Sequence, residues 1–260
     1  MRVHVLQMIA RIIPIAAVLL LAACGAPTTT VQAPPSEYAA VQDGEFFIQA
    51  VDAGLLKEGH ARREVDYAGA EGPGTIVVDI FARKLYLVGE GGRAMRYAIG
   101  VGREGLEFRG GGVIGRKSEW PSWQPTRNMI RTAPELYAHY ASGVPGGLDN
   151  PLGARALYLY RGGRDTYFRI HGTIDNLSIG RASSAGCIRL FNQDAIDLYN
   201  RVPTGSAVRV RSYEESLAIE GPYIDDANGN AVPETPEAIA ARTKLLARRA
   251  KAEAGGVVQG

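Results

Sequence analysis

Short runs of β-branched, aliphatic and aromatic residues recur along the chain between glycine-rich turns, and this pattern predicts strands. One such turn, Gly89-Glu90-Gly91-Gly92, separates two of these runs. The predicted strands cover residues 75–80, 84–88, 94–99, 154–160, 166–171 and 207–210. Short strands joined by turns of this kind favour antiparallel β structure.

Helix signals interrupt this β pattern at two places. Thr132 is placed to cap a short helix that has Pro134 in its first turn. Asn192 is placed to cap a second helix, which carries Ala195 and Tyr199 on one face. The stretch between the strand ending at residue 171 and this second helix is therefore predicted to be a connection held between regular elements.

The first 23 residues have the features of an export signal. Arg2 and Arg11 precede an apolar run from Ile12 to Ala23, which is too short to span a bilayer comfortably. The run ends in Leu-Ala-Ala before Cys24 and resembles a bacterial lipoprotein signal, which implies that Cys24 is lipidated and becomes the new N-terminus. The alternative is an ordinary signal peptide followed by a chance cysteine. We expect a periplasmic protein, anchored by lipid to a membrane, with the outer membrane favoured.

Composition indicates the broad class of the exported chain. With 46% hydrophobic and 22% charged residues among 260, it can form one globular domain plus tails. The formal net charge is +2, and cleavage before Cys24 removes two arginines, so no basic field remains to attract nucleic acid. The expected parts are a signal peptide (1–23), a tether and docking segment (24–72), a folded domain (73–211), and a C-terminal linker and polar helix (212–260, with the helix at 236–254).

The segment from His171 to Leu190 carries the candidate chemistry. If Cys24 is lipidated, Cys187 is the cysteine left with a free thiol, and small residues from Ser183 to Gly186 precede it. A thiol needs a base to become a nucleophilic thiolate, and His171, at the end of a predicted strand, is a candidate for that base. Small neighbours also let backbone N–H groups approach a reacting carbonyl. The alternative is a buried structural cysteine, which is a common state of this residue type.

Other motifs in the chain do not indicate a cofactor or a metal. Gly100 to Gly105 matches G-x-G-x-x-G, but glycines 110–112 follow where a dinucleotide-binding fold needs a helix. Asp226 to Glu237 has the spacing of a calcium loop, but Ala231 replaces the turn glycine, so we expect a plain turn. No histidine or cysteine pair has the spacing of zinc ligands. We therefore expect neither a cofactor nor a metal.

Several short motifs follow one another in order along the chain. They are Ile114 to Lys117, Trp120 to Thr126, Asn150 to Gly153, His171-Gly172-Thr173, and Ser184-Ala185-Gly186-Cys187-Ile188-Arg189. Together they resemble the L,D-transpeptidase family, which has a YkuD-type catalytic domain, over about residues 73–211. Many members of that family have a histidine where this chain has Ala185, which leaves His171 as the candidate base.

The resemblance implies a mainly β fold, a mixed or antiparallel β-sandwich with short helices and a loop that carries the cysteine. It implies that Cys187 attacks the carbonyl joining diaminopimelate to the terminal D-alanine of a peptidoglycan tetrapeptide stem, forms a thioester and releases D-alanine. His171 would move the protons, and the backbone carbonyl of Gly172 would orient its ring. A domain that begins at about Pro73 is expected to keep this activity.

The other site residues implied by the resemblance have less defined roles. Backbone N–H groups of Ala185, Gly186 and Cys187 are the candidate oxyanion donors. Arg189 would either bind a substrate carboxylate or form a structural ion pair. Ser184 would either position the loop or bind substrate.

The sequence leaves open which acceptor takes the acyl group. The diaminopimelate amine of a second stem would give a cross-link, whereas water or a free D-amino acid would give carboxypeptidase or exchange activity. A lysine of another protein, such as an outer-membrane lipoprotein, would give attachment of that protein to peptidoglycan. A different class, a non-catalytic wall-binding lipoprotein, is disfavoured because both His171 and Cys187 are present. The expected partners are peptidoglycan stem peptides and a membrane reached through Cys24.

Overall fold

A computed structural model of the chain describes residues 34–102, 109–183 and 188–256. The predictions made for Cys24, and for Ser184, Ala185, Gly186 and Cys187, lie outside the described residues. The strands are β1 (Val41–Asp43), β2 (Phe46–Ile48), β3 (Arg63–Asp66), β4 (Ile76–Asp79), β5 (Lys84–Val88), β6 (Arg93–Ala98), β7 (Gly100–Gly102), β8 (Gly110–Glu119), β9 (Arg155–Arg161), β10 (Arg164–His171), β11 (Ala182–Ser183), β12 (Ile188–Arg189), β13 (Ala207–Val210), β14 (Tyr223–Asp225) and β15 (Ala231–Pro233). The helices are α1 (Arg127–Thr132), α2 (Pro134–Tyr137), α3 (Asn192–Arg201), α4 (Tyr213–Glu220) and α5 (Pro236–Gly256), with 3-10 turns at Ser36–Tyr38, Ala53–Gly59, Ala138–Tyr140 and Asn176–Ser178.

Eleven of the described strands form one mixed sheet. Their order is β11-β7-β12-β10-β9-β8-β13-β4-β5-β6-β3. The pairs β10–β12, β11–β7 and β13–β4 are parallel, and the other pairs are antiparallel. The predicted mainly β fold with mixed and antiparallel strands is confirmed, and each predicted strand begins and ends within two residues of an observed one.

One apolar core joins strands that stand far apart in this order. Ile170 of β10, Leu157 of β9, Leu85 of β5 and Tyr97 of β6 are each 0% exposed and belong to the same cluster as Leu198 of α3. These side chains can meet only if the sheet curls so that its two halves face each other. Burial of one such leucine contributes about 2 kcal/mol, so this shared core holds the curled sheet together.

Residues 34–66 dock on this domain and extend its sheet. β3 pairs with β6 as an edge strand, and Tyr38 and Val51 are 0% and 1% exposed. The Arg62 Nη1 atom lies 2.8 Å from Oδ1 of Asp194 on α3, and the Tyr38 hydroxyl donates to Oδ2 of the same carboxylate at 3.1 Å. β3 therefore belongs to the same sheet as the domain, although it precedes residue 73, where the sequence predicts that the domain begins.

Asp43 ties the same N-terminal segment to the start of β9. Its carboxylate accepts hydrogen bonds from Nη1 and Nη2 of Arg155 at 2.6 and 2.8 Å, and from Nε1 of Trp120 at 2.8 Å. The bonds from Arg155 are the largest cause that lowers the pKa of Asp43. The Phe46 ring packs on Trp120 with 4.2 Å between ring centroids. This contact places the docked segment beside the strand that pairs with β10.

The caps of two helices differ from the sequence prediction. Pro134 occupies the first turn of α2 as predicted, but Thr132 ends α1 and the N-cap of α2 is Ala133. The prediction that Asn192 caps a helix is also wrong, because α3 begins at Asn192 and its N-cap is Phe191. Threonine and asparagine side chains bond equally well to backbone groups elsewhere, and the tertiary structure offers Asn192 such partners.

The C-terminal region adds a hairpin and a long helix. β14 and β15 pair around a turn in which Asp226 Oδ1 accepts hydrogen bonds from the backbone N–H groups of Asn228 and Asn230. The predicted C-terminal helix is confirmed as α5, and Thr235 Oγ1 caps it by accepting from the N–H of Ala238. In the part of the chain that the structure describes, no helix is both long and apolar enough to cross a membrane.

Candidate active site

His171 is the last residue of β10 and lies inside the main sheet. Its Cα is paired with Ala156 on β9 and with Arg189 on β12. Its carbonyl oxygen accepts a hydrogen bond from the N–H of Leu190 at 2.8 Å. The side chain is 4% exposed. The main chain at His171 is therefore fixed from both sides, and its ring has little freedom to move.

The imidazole ring of His171 is oriented by the next residue in the chain. Nδ1 lies 2.6 Å from the carbonyl oxygen of Gly172. A carbonyl oxygen only accepts hydrogen bonds, so Nδ1 must carry a proton here, and Nε2 is the unprotonated nitrogen of the neutral ring. This is the tautomer that a general base requires.

Burial lowers the pKa of His171 to about 4 from its usual value of 6.5. Loss of hydration is the largest cause, and the charges of Arg189 and Arg169 act in the same direction. Backbone hydrogen bonds to Gly172 and Leu152 oppose the change. The ring is therefore neutral at pH 7 and able to accept a proton.

Asn192 connects the segment after His171 to the turn before β9. Its Oδ1 accepts from the N–H of Ala154 at 2.9 Å, and its Nδ2 donates to the carbonyl of Thr173 at 3.0 Å. A Cβ atom added to Gly172 or Gly153 would stand only 2.1 or 2.2 Å from Asn192 Oδ1. Gly153 also has a φ of +61°, which favours glycine. The close approach of these backbones around Asn192 therefore requires both glycines.

Asn150 holds the turn that brings Leu152 to the histidine. It is fully buried, and its Nδ2 donates to the carbonyls of Val144 and Pro145 at 3.1 and 2.9 Å. Its Oδ1 accepts from the N–H of Leu152 at 2.9 Å. The backbone of Leu152 acts to raise the pKa of His171, so the turn lies close to the ring.

Both ends of the segment that contains Cys187 are held by β7. Ser183, at the end of β11, pairs in parallel with Gly102. Ile188, at the start of β12, pairs antiparallel with Val101. The chain therefore enters residues 184–187 on one side of β7 and leaves them on the other side, next to β10.

The structure brings three of the predicted site residues together: His171, Gly172 and Arg189. Arg189 is half-buried at the register position of His171, and its role in substrate binding or in an ion pair stays a prediction. The contacts of Asn192 could not be predicted from the sequence, because an asparagine at the start of a helix resembles a cap. Among the residues that the structure describes, no three His, Cys, Asp or Glu side chains cluster as metal ligands.

The chain is similar to several known proteins. A family model of YkuD, the L,D-transpeptidase catalytic domain, matches residues 73–210. A putative L,D-transpeptidase in the ATP synthase subunits region (ORF 5) of Fuscovulum blasticum is 39% identical over 153 residues, which are 58% of this chain and 75% of that protein. The probable L,D-transpeptidase ErfK/SrfK of Escherichia coli K12 is 36% identical over 138 residues, which are 52% of this chain and 43% of that protein. The chain thus matches less than half the length of the E. coli relative.

One solved structure has a higher sequence identity to this chain than these two relatives. It is a crystal structure from Brucella melitensis of a protein named probable carnitine operon oxidoreductase caia, which is 47% identical. The match covers 57% of this chain and 91% of that one, with a TM-score of 0.42.

Proposed function

This chain belongs to the L,D-transpeptidase family through its YkuD-type catalytic domain, and from that membership we propose that it is a cysteine-dependent acyltransferase acting on the tetrapeptide stems of peptidoglycan. One observation carries the proposal. His171 is buried and neutral, and its Nδ1 is bound to the Gly172 carbonyl at 2.6 Å, which leaves Nε2 to accept a proton. Cys187 is joined by a peptide bond to Ile188, whose Cα is paired with that of Ile170, the residue before His171.

In the first step, the Sγ atom of Cys187 attacks the carbonyl carbon that joins diaminopimelate to the terminal D-alanine. The thiol proton moves to His171 Nε2, and a tetrahedral oxyanion forms. When the carbon–nitrogen bond breaks, the same proton passes to the amine of the departing D-alanine. The products of this step are free D-alanine and a thioester on Cys187.

In the second step, an amine attacks the thioester carbonyl and gives its proton to His171 Nε2. The carbon–sulfur bond then breaks, the proton returns to Cys187, and a new amide is released. A diaminopimelate amine of a second stem gives a cross-link, and a lysine of an outer-membrane lipoprotein gives protein attachment. Water in the same position gives carboxypeptidase activity, and a free D-amino acid gives exchange.

The oxyanion of both steps is assigned to backbone N–H groups of Ala185, Gly186 and Cys187. Each donor of this kind stabilises the transition state by about 3 kcal/mol. The support is indirect: β11 and β12 pair the residues on either side of this segment, Ser183 and Ile188, with β7.

The direct test is a reaction of the purified full chain with a disaccharide-tetrapeptide, followed by mass spectrometry of the products. We expect free D-alanine and either a dimer or a tripeptide, and the product mass identifies the acceptor. Intact-mass measurement should also show an acyl adduct on the wild-type chain.

The Cys187→Ala variant is the matched control, and it should release no D-alanine and carry no adduct. D-Alanine release by this variant would overturn the assignment of Cys187 as the nucleophile. A wild-type chain that binds the peptide and releases nothing would instead favour the wall-binding class of protein.

A further inference from the structure

A cleft of about 630 Å³ lies on the face of the sheet that is turned away from the main core. Lys84, Arg96 and Ala98 line it, and along β5 and β6 they alternate with core residues such as Leu85 and Tyr97. The other walls are the 3-10 turn Ala53–Gly59, the segment from Asn176 to Arg181, and the hairpin β14–β15. We call it the arginine cleft.

Cations outnumber carboxylates along the arginine cleft. Its described walls carry Arg63, Arg83, Lys84, Arg96 and Arg181. Two of these charges are neutralised, because Asp225 lies 3.2 Å from Arg83 and Glu220 lies 2.6 Å from Lys84. Within the described residues, the other three guanidinium groups take part in no ion pair.

Arg96 and Arg63 face each other across the sheet. Their Cα atoms are directly paired between β6 and β3, a position where like charges repel. Arg96 is only 9% exposed, and its Nη2 donates to the carbonyl of Gly59 at 2.9 Å. Burial is the largest cause that lowers the pKa of Arg96, and the charge of Arg63 acts in the same direction. The charge of Glu220 opposes this change. A buried guanidinium is ordinarily paired with an anion, and an anion bound in the cleft would reduce the repulsion between Arg96 and Arg63.

The carboxylate of the cleft wall is already engaged. Asp226 accepts hydrogen bonds from the backbone N–H groups of Asn228 and Asn230 and from Asn230 Nδ2, at 2.7 to 2.9 Å. Arg181 is held by Nε, which donates to Asn230 Oδ1 at 2.8 Å. The hairpin therefore fixes Arg181 at the cleft, and the charge of Arg181 contributes to lowering the pKa of Asp226, whose carboxylate oxygens are bonded to Asn228 and Asn230.

We propose that the arginine cleft is a binding site for an organic oxyanion, a ligand with carboxylate or phosphate groups that are held by Arg63, Arg96 and Arg181. The planar guanidinium fork matches both groups through paired N–H donors. Apolar wall residues such as Leu55 and Val232 offer contact for the body of the ligand. This site goes beyond the proposed reaction, because neither His171 nor Gly172 lines it.

Two sources can supply such an oxyanion, a phosphate-bearing compound or the carboxylates of a peptide stem. Isothermal titration calorimetry and thermal unfolding of the Cys187→Ala chain, which cannot turn over, test both. The probes are inorganic pyrophosphate, tricarballylate and disaccharide-tetrapeptide, at one fixed ionic strength because salt screens such contacts. Competition of the tetrapeptide with pyrophosphate separates binding in the cleft from binding at the catalytic site.

The matched variants are Arg96→Gln and Arg164→Gln, each added to the same background. Arg164 is an exposed arginine at the start of β10, so its loss changes the net charge equally. We expect pyrophosphate or tricarballylate to raise the melting temperature, and Arg96→Gln to weaken binding by about tenfold or more. Arg164→Gln should leave the affinity unchanged. Without a probe, Arg96→Gln should melt at or above the parent temperature, since it removes the repulsion with Arg63.

A failure of all three probes to bind would overturn the proposal, as would an equal loss of affinity in both variants. An Arg96→Gln chain that melts lower without a probe and binds as before would show a purely structural arginine, which also overturns it. These readouts measure binding and not turnover. A chain that binds pyrophosphate through Arg96 but never forms an acyl adduct in its wild-type form would reject the proposed function alone.

Discussion

At the scale of single residues, the surroundings of His171 keep its imidazole in a form that can accept a proton. Burial keeps the ring neutral, and the Gly172 carbonyl fixes the proton on Nδ1. In the proposed mechanism, the neutral ring takes the thiol proton when Cys187 attacks. Ala185 stands where many family members have a histidine, so no second imidazole is supplied from that position.

Replacement of His171 by glutamine is expected to slow acylation by about 100- to 10,000-fold, because a general base is lost. The measurement is the rate of acyl-adduct formation by intact mass, with circular dichroism as the check on folding. Glutamine keeps a similar volume and can still contact the Gly172 carbonyl. A variant that acylates at nearly the wild-type rate, with an unchanged pH profile, would mean that another group activates the thiol.

The lowered pKa of His171 also predicts a pH dependence of stability. The unfolded chain binds a proton near pH 6.5 and the folded chain only near pH 4, so the unfolded state binds more protons between these values. The free energy of unfolding should therefore fall by up to about 3 kcal/mol as the pH drops through this window. Urea unfolding of the wild type and of His171→Gln at pH 7 and pH 4.5 measures this change in the free energy of unfolding. If the free energy of unfolding falls equally in the two chains between pH 7 and pH 4.5, protonation of His171 is not the cause.

At the scale of elements, Asn192 couples α3 to the backbone of the site. It is the first residue of the helix, and it binds the turn before β9 and the segment after β10. The helix thereby binds two loop residues that lie outside the paired strands, Ala154 before β9 and Thr173 after β10. Because Asn192 Nδ2 holds the carbonyl of Thr173, the residue after Gly172, we expect it to position the Gly172 carbonyl that orients His171.

Substitution of Asn192 by alanine is expected to lower the acylation rate more than it raises KM, because the imidazole loses its fixed orientation. It should also destabilise the fold by about 1–3 kcal/mol, since the buried N–H of Ala154 loses its acceptor. Asn192→Asp keeps an acceptor for that N–H and should recover part of the stability. The control is Asn200→Ala, at an exposed position of the same helix. Equal rates in the two alanine variants would reject the positioning role.

A buried ion pair joins the N-terminal segment to the same helix. Asp194 is 0% exposed, and burial raises its pKa to about 7 against the opposing influence of Arg62. Arg62→Met should destabilise the chain by about 3–5 kcal/mol, because it leaves this carboxylate without its cation. Arg93→Met, which removes an exposed pair with Asp66, is the control and should change the denaturation midpoint little. Similar losses in both variants would contradict a special role for the buried pair.

At the scale of the whole molecule, residues 34–66 form part of the folded unit. β3 covers an edge of the sheet, and Tyr38 and Val51 fill a cluster beneath it. A chain that begins at Pro73 lacks all of these contacts. We therefore expect it to unfold more readily than the full chain.

If Cys24 is lipidated, as the sequence predicts, docking of residues 34–66 shortens the stretch of chain between the lipid and the folded domain. Residues 25–33 remain between Cys24 and the described structure, and fully extended they reach about 30 Å. Cys24→Ser should release the protein from the membrane fraction or block its processing, whereas the wild type should resist a salt wash, because several fatty chains bind far more firmly than one. Membrane fractionation and the mass of the N-terminal peptide measure this. A soluble wild type with Cys24 bonded to Cys187 would contradict both the anchor and the free thiol.

The sequence by itself determined the local elements and the chemical groups. Lys84–Val88 and Ala207–Val210 were predicted with the observed bounds, because alternation and β-branching act between residues close in the chain. The candidate base was identified in the same way, since the chemistry of His171 belongs to its residue type and to its place at a strand end.

Only the tertiary structure determined which residues far apart in the chain are in contact. Pairing of Arg63 with Arg96 and the contact of Arg62 with Asp194 join residues far apart in the chain, and no local pattern encodes such neighbours. The same is true of the Asn192 side chain, whose partners exist only after β9 and β10 have been brought together. Burial, which lowers the pKa of His171, is likewise a property of the assembled core.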